Sequence, residues 1–142
     1  MQNLRYVGNN LFVEKLSIKN ILKKNKTPFY IYSESQIAFN FLKFANTFKK
    51  TDPLICFAAK SNSNLNILRV LGKLGAGADV VSGGELLKAL KAGIRPNKIV
   101  FSGVGKTEEE LKIAINKKIL LINCESESCL LYTSPSPRDR SL

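Results

Sequence analysis

Leu54-Ile55-Cys56-Phe57-Ala58-Ala59-Lys60-Ser61-Asn62 is an apolar run closed by a single lysine and a polar turn. A run of that length bounded by turn residues reads as a buried strand. Strand alternation puts Cys56, Ala58 and Lys60 on one face, and Ile55, Phe57 and Ala59 on the other. The lysine therefore closes a face of small side chains, where room is left for something other than protein. Burying an ammonium favours its neutral form, and a neutral amine is what condenses with a carbonyl compound. The plainer expectation for a strand-end lysine is that it snorkels into solvent, so its surroundings must decide.

Outward from this stretch the chain has a rhythm. Apolar strand candidates begin near Pro28 (PFYIYS), Leu54 (LICFAA), Ala78 (ADVVS), Lys98 (KIVFSG) and Ile119 (ILLIN). Helical periodicity fills the gaps: Ile37, Phe41, Phe44 and Phe48; Leu65, Leu68 and Leu71; Leu86, Leu87 and Leu90; Leu111 and Ile115. Ser33-x-x-Gln36, Ser82-x-x-Glu85 and Thr107-x-x-Glu110 have the form of capping boxes. Gly75 and Gly93 stand where a left-handed C-cap would end the second and third of these helices. Before the rhythm, Leu11-Phe12-Val13 follows the turn signal Gly8-Asn9-Asn10, and Ser17 to Lys24 reads as a short amphipathic helix.

Near-continuous apolar strands alternating with helices imply α/β architecture, a parallel sheet of right-handed βαβ units. Periodicity alone allows an open doubly wound sheet or part of a (β/α)8 barrel. The nucleotide-binding glycine patterns are incomplete. Gly75-x-Gly77 would need a third glycine where Val80 stands, and Gly103-Val104-Gly105-Lys106-Thr107 lacks the first P-loop glycine, its place taken by Val100.

Composition narrows the function classes. The chain has 142 residues, 44% apolar and 23% charged, as in an ordinary soluble domain. No apolar run approaches the roughly 20 residues of a membrane span, and the polar start from Met1 to Asn10 is unlike a signal peptide, so the cytoplasm is the expected location. The net charge of +11 invites a nucleic-acid reading. Its lysines are dispersed along the predicted helices, however, and the one dense cluster, Lys23-Lys24-Asn25-Lys26, has no interleaved aromatic residue. No nucleic-acid partner is expected. With three cysteines lacking CxxC spacing and no histidine, neither a zinc site nor a Cys/His catalytic pair is expected.

Together Phe57-Ala58-Ala59-Lys60-Ser61-Asn62, Ile67-Leu68, Leu71 and Gly75 resemble the pyridoxal-phosphate attachment pattern of the decarboxylases with an alanine-racemase-like barrel. Gly75-Ala76-Gly77-Ala78-Asp79-Val80-Val81-Ser82-Gly83-Gly84-Glu85-Leu86 and Ile99-Val100-Phe101-Ser102-Gly103-Val104-Gly105-Lys106-Thr107 are similar to the diaminopimelate decarboxylase branch of that group. The resemblance runs from about Gly8 to Ser128 and chooses the barrel: a partial (β/α)8 TIM barrel, about its first half, since a whole one takes about 250 residues.

It also implies a function. The chain would be the N-terminal part of an enzyme that converts meso-2,6-diaminopimelate to L-lysine and CO2, homodimeric at full length. Lys60 would hold pyridoxal 5'-phosphate, and Asp79 would stand near the attachment point. Ser82 and Glu85 have a sufficient explanation as a cap, and Lys106 as a solvated side chain after a glycine turn. The family's ring-stacking histidine, glycine-rich phosphate loop, pyridine-nitrogen acid and C-terminal β-domain are not in this sequence, so the 142 residues are expected to be inactive alone. Other readings are an arginine, ornithine or carboxynorspermidine decarboxylase, a racemase, or, from another class, a noncatalytic basic binding module.

Three regions are expected. Residues 1–26 would form an N-terminal strand and helix segment, and 27–128 the partial barrel. Residues 129–142 would be a disordered tail, whose Pro/Ser sequence resembles a translated sequencing adaptor and is set aside from fold reasoning.

Overall fold

The computed structural model describes residues 3–128, so the expected tail lies outside the described residues. The chain divides into two compact units between Phe48 and Lys49.

In the first, β1 (Leu4–Val7), β2 (Asn10–Val13) and β3 (Leu16–Ser17) form an antiparallel sheet in that order. Val7 pairs with Asn10, and Gly8 makes the intervening turn in left-handed backbone at φ +56°. The short helix α1 spans Ile18–Leu22, and α2 spans Glu34–Thr47. Ser33 caps α2 by accepting from the Gln36 N–H, but the reciprocal half of the expected capping box is missing. The Gln36 amide bonds Asn3 and Asn40 instead. The returning carboxylate is Glu14, which accepts from Ser33 Oγ, Ser35 N and Ser35 Oγ at 2.6, 3.0 and 2.8 Å. These hydrogen bonds hold its carboxyl below the usual range.

Pro28 to Ser33 does not form the expected first strand. No described strand bonds to it, and without a ladder partner its β-rich composition leaves an extended segment with Tyr30 90% exposed.

Among the described residues the second unit carries the expected parallel sheet with four strands rather than five. β4 (Cys56–Ala58), β5 (Gly77–Val80), β6 (Ile99–Phe101) and β7 (Leu121–Ile122) lie side by side in chain order. Between them run α3 (Leu65–Lys73), α4 (Gly83–Lys91) and α5 (Glu108–Asn116). Alternation sorts the sheet. Ala78, Val80, Ile99 and Phe101 are fully buried and form one core with Leu68, Leu86, Ala89 and Ala114 of the helices. Cys56, Ala58, Gly77, Asp79, Val100 and Leu121 fall on the other face.

Helix ends follow their residues. Gly75 and Gly93, at φ +97° and +91°, end α3 and α4. In each case the next N–H reaches back across the last turn, Ala76 to Leu71 O and Ile94 to Ala89 O, in a Schellman arrangement. Asn64 caps the start of α3, and Thr107 with Glu110 forms a complete capping box on α5. At α4 the box is shifted: Ser82 accepts from Glu85 N, while Glu85 reaches past Ser82 to accept from Val81 N at 2.9 Å.

Candidate active site

Because β4 to β7 are parallel, their carboxyl ends share one edge, where open α/β sheets and barrels alike place their ligands. Lys60 is at that edge but not on the strand. The ladder stops at Ala58, and Ala59–Ser61 turn in a single 3-10 helix. Ser61 Oγ donates to Ala58 O at 2.7 Å and Asn62 N to Ala59 O at 3.1 Å. Asn62 Oδ1 then accepts from Asn64 N, which leads directly into the cap of α3. The turn anchors itself on Ala59, fully buried in the core, and presents Lys60 outward as an exposed amine. The expectation of a lysine closing the strand face in a buried setting is corrected accordingly: a serine able to bond back to the last strand carbonyl ends the strand two residues early.

Asp79 is opposite Ala58 of β4 and Val100 of β6, on the face away from the helices. Among the described residues its Oδ1 is buried without a hydrogen-bond partner. Such an oxygen is costly to keep unless something outside the described residues satisfies it. Cys56 is on the same face, opposite Gly77. Burial pushes its thiol pKa up, the Asp79 charge adds to this, and Lys98 partly offsets it.

Two further loops reach the same edge. After β5, Gly83 N at the start of α4 donates to Glu110 Oε1 at 2.7 Å. Glu110 also accepts from Thr107 N, and these backbone bonds, Gly83's first, hold its carboxyl below the usual range. After β6, Gly103 adopts φ +95° with a Cβ position only 3.2 Å from Val81 Cβ. Lys106 is not simply solvated, as the sequence suggested. It is half-buried, and its Nζ donates to Gly103 O and to Asn123 O, both at 2.6 Å. Asn123, just past β7, also bonds Ser102 Oγ through its amide. Sequence reasoning passed over Asn123, although a polar residue ending ILLIN was a visible signal. A cleft of about 190 Å³ lies beside this loop, with Glu125, Ser126 and Ser128 on its far side.

Residues 34–134 match the family model described as pyridoxal-dependent decarboxylase, pyridoxal binding domain. The chain belongs to this family. A diaminopimelate decarboxylase of Aquifex aeolicus is 48% identical over 123 residues, 87% of this chain and 29% of that protein. One from Helicobacter pylori (strain J99) is 51% identical over 108 residues, 76% of this chain and 27% of that protein. Among solved structures, a diaminopimelate decarboxylase from M. jannaschii in complex with L-lysine superimposes with a TM-score of 0.87 at 36% identity. That match covers 93% of this chain and 32% of the other. The chain thus spans about three-tenths of the length of the relatives it matches.

The residues present fit the family's cofactor, pyridoxal phosphate. Lys60 offers an exposed primary amine for an aldehyde, and Asp79 offers a buried carboxylate oxygen still lacking a donor. Ala58, opposite Asp79, is small enough to leave space on that face. Among the described residues no helix is long and apolar enough to cross a membrane.

Proposed function

We propose that this chain supplies the lysine-bearing part of a pyridoxal-phosphate-dependent diaminopimelate decarboxylase, in which Lys60 is the covalent attachment point and Asp79 a cofactor-facing carboxylate. The whole enzyme would release CO2 from meso-2,6-diaminopimelate to give L-lysine, acting in the cytoplasm as a homodimer on a small-molecule amino acid. The observation that carries this reading is the presence on neighbouring elements, β4's end and β5, of an exposed amine and of a buried carboxylate oxygen that has no partner among the described residues.

Pyridoxal phosphate, when bound, supplies the electron sink for the pair left behind by the departing carboxylate. The chain's own residues do simpler things. Lys60 gives the nucleophilic nitrogen, and the Ser61 and Asn62 bonds to the Ala58 and Ala59 carbonyls fix where its stem starts. Asp79 places negative charge in the last pair of the β4–β5 ladder, opposite Ala58, where it favours a cationic group above the sheet. The expected regions, 1–26, 27–128 and 129–142, remain part of this proposal. So does inactivity of the 142 residues alone, since the four parallel strands of the described residues do not close a barrel.

Incubation with pyridoxal phosphate, borohydride reduction and peptide mapping tests the assignment. The fixed label should concentrate on Lys60 and be redistributed in Lys60→Ala, whereas Asp79→Ala should reduce the share at Lys60. A label spread evenly over the lysines in the unaltered chain would overturn it and favour the basic binding module. That module instead predicts nucleic-acid affinity that falls steeply with salt and ignores Lys60→Ala.

A further inference from the structure

The Gly103–Lys106 loop is more tightly tied down than a turn between strand and helix requires. One ammonium meets two carbonyls from different strand ends, Gly103 O after β6 and Asn123 O after β7, each at 2.6 Å. Its third direction lies toward the Phe101 ring, 5.8 Å from the centroid. Charge-assisted bonds this short are the strong kind, and a compact ammonium with three donors can serve two convergent carbonyls as no neutral side chain of that length can. The consequence reaches β5: the clamped Gly103 packs on Val81, two residues beyond Asp79.

We propose that Lys106 is a positioning residue of this edge, whose ammonium locks the β6–α5 loop to the end of β7 and so fixes the loop packed beside the strand that carries Asp79. Calling this edge the mouth of an active site rests on the pyridoxal-phosphate reading; the clamp does not. Lys106 touches no reacting atom in this scheme. It acts through Gly103 and Asn123, and it forms one side of the cleft shared with Glu125 and Ser128.

Amide hydrogen exchange on the 142-residue chain, with Lys106→Met and Lys106→Arg, tests it. Ser102 N and Asn123 N, which donate to Val80 O and Phe101 O, are the reporters. In Lys106→Met, which keeps the stem and removes the donors, peptides over 101–106 and 121–124 should exchange at least about tenfold faster. That factor corresponds to about 1.4 kcal/mol, the low end for a charged hydrogen bond. Peptides over 65–80 should be unaffected, and Lys106→Arg should restore most of the protection. In the borohydride assay the share of label at Lys60 should fall in Lys106→Met and recover in Lys106→Arg. Unchanged exchange, or exchange accelerated equally across 65–80, would overturn the clamp. If the unaltered chain puts no excess label on Lys60, the functional reading falls, while the exchange result still decides the clamp.

Discussion

Gly77 has no room for a side chain. A Cβ there would stand 2.3 Å from Lys98 O and 2.7 Å from Cys56 Sγ, and the first neighbour is backbone that cannot step aside. Gly77→Ala should therefore destabilise the chain by about 3 kcal/mol, the upper part of the overpacking range, because it drives β5 away from β6. Urea unfolding measures this; a change under about 0.5 kcal/mol would show that the strands separate freely. The same crowding shields Cys56. Its raised thiol pKa means less thiolate, so iodoacetamide at neutral pH should alkylate exposed Cys124 well before Cys56, as peptide mapping would show. Asp79→Asn should narrow that gap, since it removes a charge that opposes the Cys56 thiolate. At this scale the sequence was partly legible. Lys60 and Asp79 could be placed at strand ends because alternation and turn residues are local signals. The exposure of Lys60 could not, because Ala58-Ala59 continues a strand pattern equally well and only the Ser61 bond to Ala58 O ends it. The clamp by Lys106 was hidden for a different reason: its second acceptor, Asn123 O, is 17 residues away in sequence.

At the scale of elements, α4 and α5 share one carboxylate. Glu110 closes its own capping box and also accepts from Gly83 N, so one ionised group serves two helix starts. Its folded pKa is lowered from 4.5, so the stabilisation is fully present above that value and is lost as pH falls through the lower folded one. Glu110→Gln should cost about 1 kcal/mol at neutral pH, a cap's worth for a partly buried side chain. Melting curves of the two proteins should converge below the ordinary carboxylate range, and a difference that grew in acid would contradict the sign. The far end of α5 offers the opposite change. Lys118 holds φ +53° where α3 and α4 have Gly75 and Gly93, and Ile119 N reaches back to Ala114 O in the same motif. Lys118→Gly should then stabilise by up to about 1 kcal/mol, the left-handed strain relieved less the extra freedom of the unfolded glycine. Thr107-x-x-Glu110 was legible in full because a capping box is written within four residues. The bonds of Glu110 to Gly83 and of Glu14 to Ser35 were not, since each reaches the start of a helix from a residue 21 or more positions away.

At the scale of the molecule, the parallel order β4-β5-β6-β7 follows from apolar runs alternating with periodic helices, a pattern the sequence itself carries. Pro28 to Ser33 was misread for a reason of the same scale: its apolar, aromatic composition suits a strand, but a strand exists only with a neighbour to bond. The consequence extends to the sheet itself, where β4 and β7 are edges and Leu121, on the face away from the helices, is 51% exposed. Tyr6, Leu16, Phe39, Phe44 and Leu120 are exposed as well. Apolar surface of this kind favours association, while a net charge of +11 opposes it through repulsion between copies. Salt separates the two effects, because it screens the repulsion within about 3 Å at 1 M and leaves or strengthens apolar burial. Sedimentation velocity of the 142-residue chain should therefore show small species at low ionic strength and concentration-dependent assembly as salt rises. A single species across the salt range would mean that the exposed edges and faces are covered within one chain, and the open-sheet description of the second unit would have to be given up.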